Sequence, residues 1–205
     1  MRIVKLTKET RENILSDLLK RSPNNYSEYE NTVNAILADV RERGDQALFE
    51  YTLKFDRFVL NEENIRVTRE EIEEAYSLLD DGLLDVIRRS AENIRAFHKK
   101  QLRTSWFDAK EDGTILGMKM TPIGRAGVYV PGGKAAYPSS VLMNVIPAKV
   151  AGVGEIIMTT PPGPNGKVNP GTLAAADIAG VDTIYKAGGA QAVGAMAFGT
   201  RSVPK

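Results

Sequence analysis

From residue 126 onward the chain repeats one pattern: a short apolar run, a glycine- or proline-rich loop, then a helical stretch. Ala126–Val130 is the first run, and Pro131-Gly132-Gly133 is its loop. A helical stretch from about Ser140 follows, with Val141, Leu142 and Val145 as its apolar positions. Proline lacks an N–H and clashes with the carbonyl four residues back, so Pro147 predicts a break, with a further turn ending at Gly152 or Gly154. Glu155–Thr159 is the second run, closed by Pro161-Pro162-Gly163. Leu173, Ala174 and Ala176 mark a helix stopped by Gly180, and Val181–Lys186 is the third run. Gly188-Gly189-Ala190-Gln191 then opens an alanine-rich helix ending at Gly199. Strands alternating with helices predict an α/β fold with a doubly wound, Rossmann-like parallel sheet.

The first 120 residues read differently. They hold 43 of the 53 charged side chains, whereas residues 121–205 hold 14 of the 18 glycines and 9 of the 10 prolines. This predicts a helix-rich part over 1–120 and an incomplete Rossmann-like domain over 121–205, packed together without a linker. Thr7 is placed to cap a first helix that ends before Ser22-Pro23. Ser27 with Glu30, and Thr68 with Glu71, have the spacing of capping boxes. Between them Val33, Ile36, Leu37 and Val40 share a face up to Gly44, and Asp45 is positioned to cap the next helix. A short strand is expected at Ile65–Val67, then helices near 69–79 and 83–101. Asp112-Gly113 predicts the turn of a hairpin.

Several classes are excluded at this level. The 27 basic and 26 acidic residues balance, which does not fit a nucleic-acid or anionic-membrane binder. There is no cysteine and a single histidine, His98, so neither a thiolate nucleophile nor a multi-histidine metal cage is available. No apolar run approaches the ~20 residues of a membrane span, and a soluble, cytoplasmic protein is expected. Glu70-Glu71 with Glu73-Glu74 reads as a solvated helix face. His98 reads as a helix C-terminal residue near the negative end of the dipole.

Open parallel sheets bind ligands beyond the carboxyl ends of their strands, where loop backbones meet helix N-termini. Two loops occupy that position: Tyr129-Val130-Pro131-Gly132-Gly133-Lys134 and Gly188-Gly189-Ala190-Gln191. Tyr129 offers a ring for stacking, and the Gln191 amide both donates and accepts. Ordinary strand-to-helix turns have the same composition, and spacing alone leaves both readings open. No G-x-G-x-x-G occurs. A P-loop fails because five residues separate Gly127 from Gly133 and Ala135 replaces the metal-binding hydroxyl. Ser139-Ser140 lacks the G-x-S-x-G setting of a nucleophile and reads as a helix cap.

Taken together, a set of motifs resembles the histidinol dehydrogenase family. They are Gly127-Val128-Tyr129-Val130-Pro131-Gly132-Gly133, Tyr137-Pro138-Ser139-Ser140-Val141-Leu142-Met143, Gly188-Gly189-Ala190-Gln191-Ala192 and Ala197-Phe198-Gly199-Thr200. In the first part, Tyr51-Thr52-Leu53-Lys54-Phe55-Asp56 and Ile94-Arg95-Ala96-Phe97-His98 fit the same family. The resemblance implies an aldehyde-dehydrogenase-like fold with incomplete Rossmann units. It also implies NAD- and zinc-dependent oxidation of L-histidinol to L-histidine through L-histidinal, in histidine biosynthesis, by a homodimer. Tyr129 and Gln191 match positions that contact NAD in the family, with Pro131, Gly132 and Gly133 beside them.

In the family the zinc ligands (a Gln, two His and an Asp) and a Glu-His acid/base pair lie beyond the positions matched here. The resemblance therefore implies an N-terminal half that carries part of the cofactor platform and no catalytic or metal residues. On that reading the chain is inactive alone. The alternative is a nucleotide-binding or interaction fragment with no turnover of its own. Part of the apolar cluster Ala192, Val193, Met196 and Phe198 is then expected to lie uncovered. Without thiolate or paired imidazoles, zinc affinity is expected to be weak. Purified, untagged protein should carry no stoichiometric zinc after mild chelation, and elemental analysis finding one tight zinc per chain would overturn this.

Overall fold

A computed structural model describes residues 5, 7–20, 27–132 and 136–205. The chain forms two compact units, 1–35 and 36–205. In the first, α1 (Lys8–Lys20) begins with the Thr7 hydroxyl accepting from the Thr10 N–H, as its cap position predicts. Its expected stop at Ser22-Pro23 lies outside the described residues, and so does the Ser27 side chain of the first expected capping box. Helix α2 (Ser27–Arg43) runs from this unit into the second.

The second unit is built on a three-stranded parallel sheet in the order β3 (Arg125–Tyr129), β4 (Glu155–Thr160), β5 (Thr183–Lys186). Successive side chains on a strand point to opposite faces, and the central strand divides accordingly. Ile156 and Met158 enter one core with Val128, Ile184 and the apolar faces of α6 (Pro138–Val150) and α7 (Pro170–Ala179). Helices α4 (Arg69–Ser77) and α5 (Asp81–Lys99) add Ala75, Ile87 and Ala91 to that core. Ile157 and Tyr185 enter a second core with Val40 of α2, Ala47 and Leu48 of α3 (Asp45–Asp56), and Ala192 and Ala195 of α8 (Gly189–Phe198). Both faces are covered by helices, which parallel strands with near-continuous apolar runs require. The second core draws on helices from before residue 120 as much as on those after it.

Several local expectations are corrected by packing. Helix α6 continues through Pro147 instead of breaking. The residue four back, Met143, is on the exposed side of the helix, where water can take the carbonyl that proline leaves unpaired. Asp45 does not cap α3. Gly44, at φ 58°, holds that position, and the Asp45 carboxylate instead accepts from the Ser202 N–H and hydroxyl. The strand expected at Ile65–Val67 is a single antiparallel bridge, Arg66 to Tyr185, flanked by hydrogen bonds that cover the outer edge of β5. Helix α5 starts at Asp81, with Asp80 as its cap, and includes Gly82. His98 lies in the last turn of α5, its Nδ1 2.7 Å from Gln101 Oε1. The Thr68–Glu71 capping box is present in full.

At the amino ends of the strands, Asp182 accepts from the Ile156 N–H at 2.7 Å and from Lys149 at 2.8 Å. Burial alone raises its pKa, but the Lys149 ammonium and the backbone N–H outweigh this and hold it below the usual carboxylate value. Between α4 and α7, the Tyr76 hydroxyl donates to Asp177 at 2.9 Å, and Arg69 pairs with the same carboxylate. Burial and that hydrogen bond push the Tyr76 phenol up to about 12. A raised folded-state pKa stabilises the fold below the unfolded value of ~10, and this contribution disappears as pH climbs through the folded value. Tyr76→Phe should therefore flatten the loss of Tm between about pH 10 and 12. It should also remove the latest-titrating component of a tyrosinate absorbance titration. An unchanged titration would place that phenol elsewhere.

Candidate functional site

The carboxyl ends of the three strands point the same way and feed three loops. After β3 come Val130, Pro131 and Gly132; after β4, Pro161-Pro162-Gly163; after β5, Ala187 and Gly188. Helices α6 and α7 return on one face of the sheet. Helix α8 crosses to the other face and back toward β3, where a Cβ at Gly127 would lie 2.8 Å from Met196 Sδ. The winding changes face beside β3, and in open α/β sheets ligands bind in the crevice beyond the strand ends at such a switch. Tyr129 is the last residue of β3.

Pro161 draws the loops together. A Cβ at Gly132 would come within 2.6 Å of Pro161 Cγ, and one at Gly188 within 2.5 Å of Pro161 Cβ. Both glycines are thus needed for close approach, which strengthens the reason they stand in these loops. Gly189 adds a positive φ of 66° as α8 begins. Its N–H donates to the Tyr129 hydroxyl at 3.4 Å, joining the first and third loops.

The three helix N-termini differ. Asn169 caps α7, its side chain accepting from the Gly171 and Thr172 N–H groups. Neither α6, preceded by Tyr137, nor α8, preceded by Gly188, has a side-chain cap. At α6, however, Pro138 has no N–H and Ser140 donates to the Tyr137 carbonyl, so the start of α8 is the more open of the two to an anion, which the helix dipole favours there. The loops before α6 and α8 are the two that the sequence singles out.

The residues expected to meet a cofactor are distributed unevenly. Tyr129, Pro131 and Gly132 are exposed, while Gly133 and Lys134 lie outside the described residues. Gln191 is only 1% exposed, and neither its Oε1 nor its Nε2 has a hydrogen-bond partner. It packs beneath the turn that starts its own helix, where a Cβ at Gly189 would lie 2.6 Å from Oε1. An unpaired buried amide costs about 1–3 kcal/mol, so the site retains an unused donor and acceptor directly under the Gly188-Gly189 backbone. Beside Gly132 a cavity of about 200 Å³ is lined by Ala136, Thr160, Pro161, Lys167 and Asn169. An NAD-like ligand fits this donor set: uncapped helix starts for phosphates, glycines without Cβ, an aromatic ring and a buried amide. Zinc does not fit. Among the described residues no group of three or more His, Asp or Glu is placed to hold a metal, and His98 lies on an exposed helix end.

Sequence reasoning missed the anchor of the third loop. Lys186, the last residue of β5, is buried and pairs with Glu71, whose other oxygen accepts the Thr68 N–H. Glu71 is therefore no solvated side chain, and Glu74 pairs with Lys167. A lysine ending an apolar strand was the available signal. Of the apolar cluster on α8, Val193 and Phe198 are exposed, whereas Ala192 is buried.

A three-stranded parallel sheet with helices packed on both faces defines an α/β protein. Comparison with known proteins gives the particular family. The histidinol dehydrogenase family profile matches residues 19–205. Histidinol dehydrogenase from Heliobacterium mobile is 56% identical over 167 residues, 82% of this chain and 39% of the relative. That of Bacillus subtilis (strain 168) is 55% identical over 176 residues, 86% of this chain and 41% of the relative. The crystal structure of histidinol dehydrogenase from Elizabethkingia anophelis superposes with a TM-score of 0.81 at 40% identity, over 86% of this chain and 40% of that one. The chain belongs to the histidinol dehydrogenase family and spans about two-fifths of the length of these relatives.

The Pro161 junction makes a discriminating prediction. Gly132→Ala should destabilise by about 1–3 kcal/mol, the usual cost of overpacking, and Pro161→Ala should relieve most of it by removing Cγ. Gly188→Ala meets Pro161 Cβ, which alanine retains, so Pro161→Ala should not rescue it. Urea unfolding of the single and double variants measures both couplings. Equal rescue of both would mean that the loops do not meet at Pro161.

Proposed function

We propose that this chain supplies the NAD-binding part of a histidinol dehydrogenase, an oxidoreductase that takes L-histidinol to L-histidine by way of L-histidinal. The observation that carries this is the convergence of Tyr129, Gly189 and the unpaired Gln191 amide at the uncapped start of α8. When bound, NAD⁺ supplies the hydride acceptor. The residues of this chain do the holding. The first-turn N–H groups of α8 receive the pyrophosphate. The Tyr129 ring packs against a flat ring of the cofactor, and Gln191 gives its amide to a sugar or carboxamide as the glycine turn above it shifts. Pro131 and Gly132 form the facing wall, and residues 121–205 act as the cofactor unit on the scaffold of 1–120.

Oxidation of the alcohol also needs a group to hold the substrate oxygen and a base for its proton. With one histidine and no cysteine, this chain offers no paired imidazoles and no thiolate for holding a zinc. In this reading zinc and the acid/base pair are held by residues outside this sequence, in a homodimeric, cytoplasmic enzyme. The 205-residue chain alone binds nucleotide weakly and does not turn over. Among the described residues no helix is long and apolar enough to cross a membrane.

Calorimetric titration of the chain with NAD⁺ tests the binding role. Tyr129→Ala and Gln191→Ala should each weaken binding about 5- to 30-fold, the 1–2 kcal/mol of a lost stacking or hydrogen-bond contact. Unchanged affinity in both variants would reduce the two loops to turns. Histidinol-dependent NADH formation by the rigorously purified chain would overturn its assignment as a binding part only.

A further inference from the structure

Two features of the larger unit belong to neither core: the exposed hairpin of β1 (Trp106–Ala109) and β2 (Ile115–Met118), and the cavity of about 200 Å³ beside Gly132. The cavity carries chemistry. Successive side chains alternate between the faces of a strand, so Thr160 shares a face of β4 with Ile156 and Met158, which enter the core under α6 and α7. Tyr129 shares a face of β3 with Gly127, which meets Met196 of α8. The cavity, lined by Thr160 and by Thr172 of α7, is therefore on the opposite side of the sheet from the Tyr129 and Gln191 contacts.

Thr160 is 1% exposed and Thr172, in the first turn of α7, is 3% exposed. Neither hydroxyl has a hydrogen-bond partner among the described residues, whereas the buried Thr52 hydroxyl donates to the Leu48 carbonyl at 2.8 Å. A buried polar group without a partner is destabilising, and in native structures it calls for a ligand or another explanation. The rest of the polar lining is of one kind. Asn169 uses its Oδ1 to accept from the Gly171 and Thr172 N–H groups, which leaves its NH₂ as a donor. Lys167 adds an ammonium, which only donates. Asn169 and Thr172 also bring the positive end of the α7 dipole to this cavity.

Among the described residues no carboxylate lines the cavity. Four donors and no acid select an anion with several oxygens, and a phosphoryl group has them. Pockets that enclose a whole small molecule run to ~300–1,000 Å³, so this cavity takes one such group and not a dinucleotide. Lys167 is paired with Glu74, which lines a neighbouring cavity of about 280 Å³ and not this one. Ion pairs between exposed side chains contribute little, so the ammonium can exchange Glu74 for a bound anion at small cost.

We propose that this cavity is a phosphate subsite, in which the Thr160 and Thr172 hydroxyls, the Asn169 amide and the Lys167 ammonium hold a phosphoryl group. The proposal goes beyond the cofactor reading, whose Tyr129 and Gln191 contacts lie on the α8 face, and does not rest on it. The phosphoryl group comes either from the cofactor or from free phosphate.

Calorimetric titration of the intact chain with inorganic phosphate, and with NAD⁺ in the presence and absence of phosphate, tests the subsite and tells these sources apart. Thr160→Val with Thr172→Val removes both hydroxyls and keeps their shape. It should weaken binding about tenfold or more, with no fall in Tm, because no internal hydrogen bond is lost. Lys167→Gln should weaken binding about tenfold. Glu74→Gln, which releases the lysine, should strengthen it about two- to fivefold. These last two change exposed side chains and read the site without touching either core. For a cofactor phosphate, phosphate competes with NAD⁺ and the threonine pair weakens NAD⁺ binding. For free phosphate, the same variants weaken phosphate binding and leave NAD⁺ affinity unchanged. Either result supports the subsite. Affinities for both ligands that are unchanged in the threonine pair and in Lys167→Gln would overturn it, and so would a wild type that binds neither ligand at millimolar concentration.

Discussion

Strand β4 holds the larger unit together. It is hydrogen-bonded along both edges, to β3 and to β5, and it is buried on both faces. Ile156 and Met158 join one core while Ile157 joins the other. A strand so placed has no face left for water, so helices must cover both sides. Displacing it would expose apolar surface of both cores at once, at a cost of ~25 cal/mol per Å².

The position of the candidate site follows from this arrangement. Parallel strands deliver all their carboxyl ends to one edge, so three loops that are far apart in sequence become neighbours. Pro161, just past the end of β4, is the point at which Gly132 and Gly188 approach. The opposite edge is held by Asp182 with Lys149 and Ile156, and by Arg125 with Glu155. Ion pairs fasten both edges, Lys186 with Glu71 doing so at the carboxyl end of β5. Only the carboxyl edge is also shaped by missing side chains and carries an uncapped start of α8 and an unsatisfied amide. That contrast is the physical basis for placing ligand binding at the carboxyl edge. The hairpin, whose large side chains lie outside both cores, contributes to neither edge.

Much of this was legible from residue order alone, where the cause is local. Capping boxes, glycine stops and helical spacing act within a few residues. The Thr68–Glu71 box, the left-handed Gly180 that ends α7 and the turn at Gly113 accordingly stand where they were expected. The two candidate loops were singled out because they follow strand ends, although ordinary turns share their composition. Wherever a side chain had a choice between a local partner and a distant one, residue order failed. Asp45 exchanges a cap for Ser202, and Glu71 serves its cap and Lys186 together. Pro147 is tolerated because tertiary packing holds the buried side of α6 in place around it.

The sequence by itself determined the kind of architecture and the positions of its turns, because these depend on backbone conformation and on apolar period. It also bounded the metal ligands these 205 residues offer, since they include one histidine and no cysteine. Only the tertiary structure decided which helices cover which face, and that Tyr129 and the start of α8 share one edge. It also decided that the Gln191 amide lies buried and unpaired beneath the Gly188-Gly189 turn. The first two join segments tens of residues apart and the last depends on what packs around α8, and packing, not local preference, decides both.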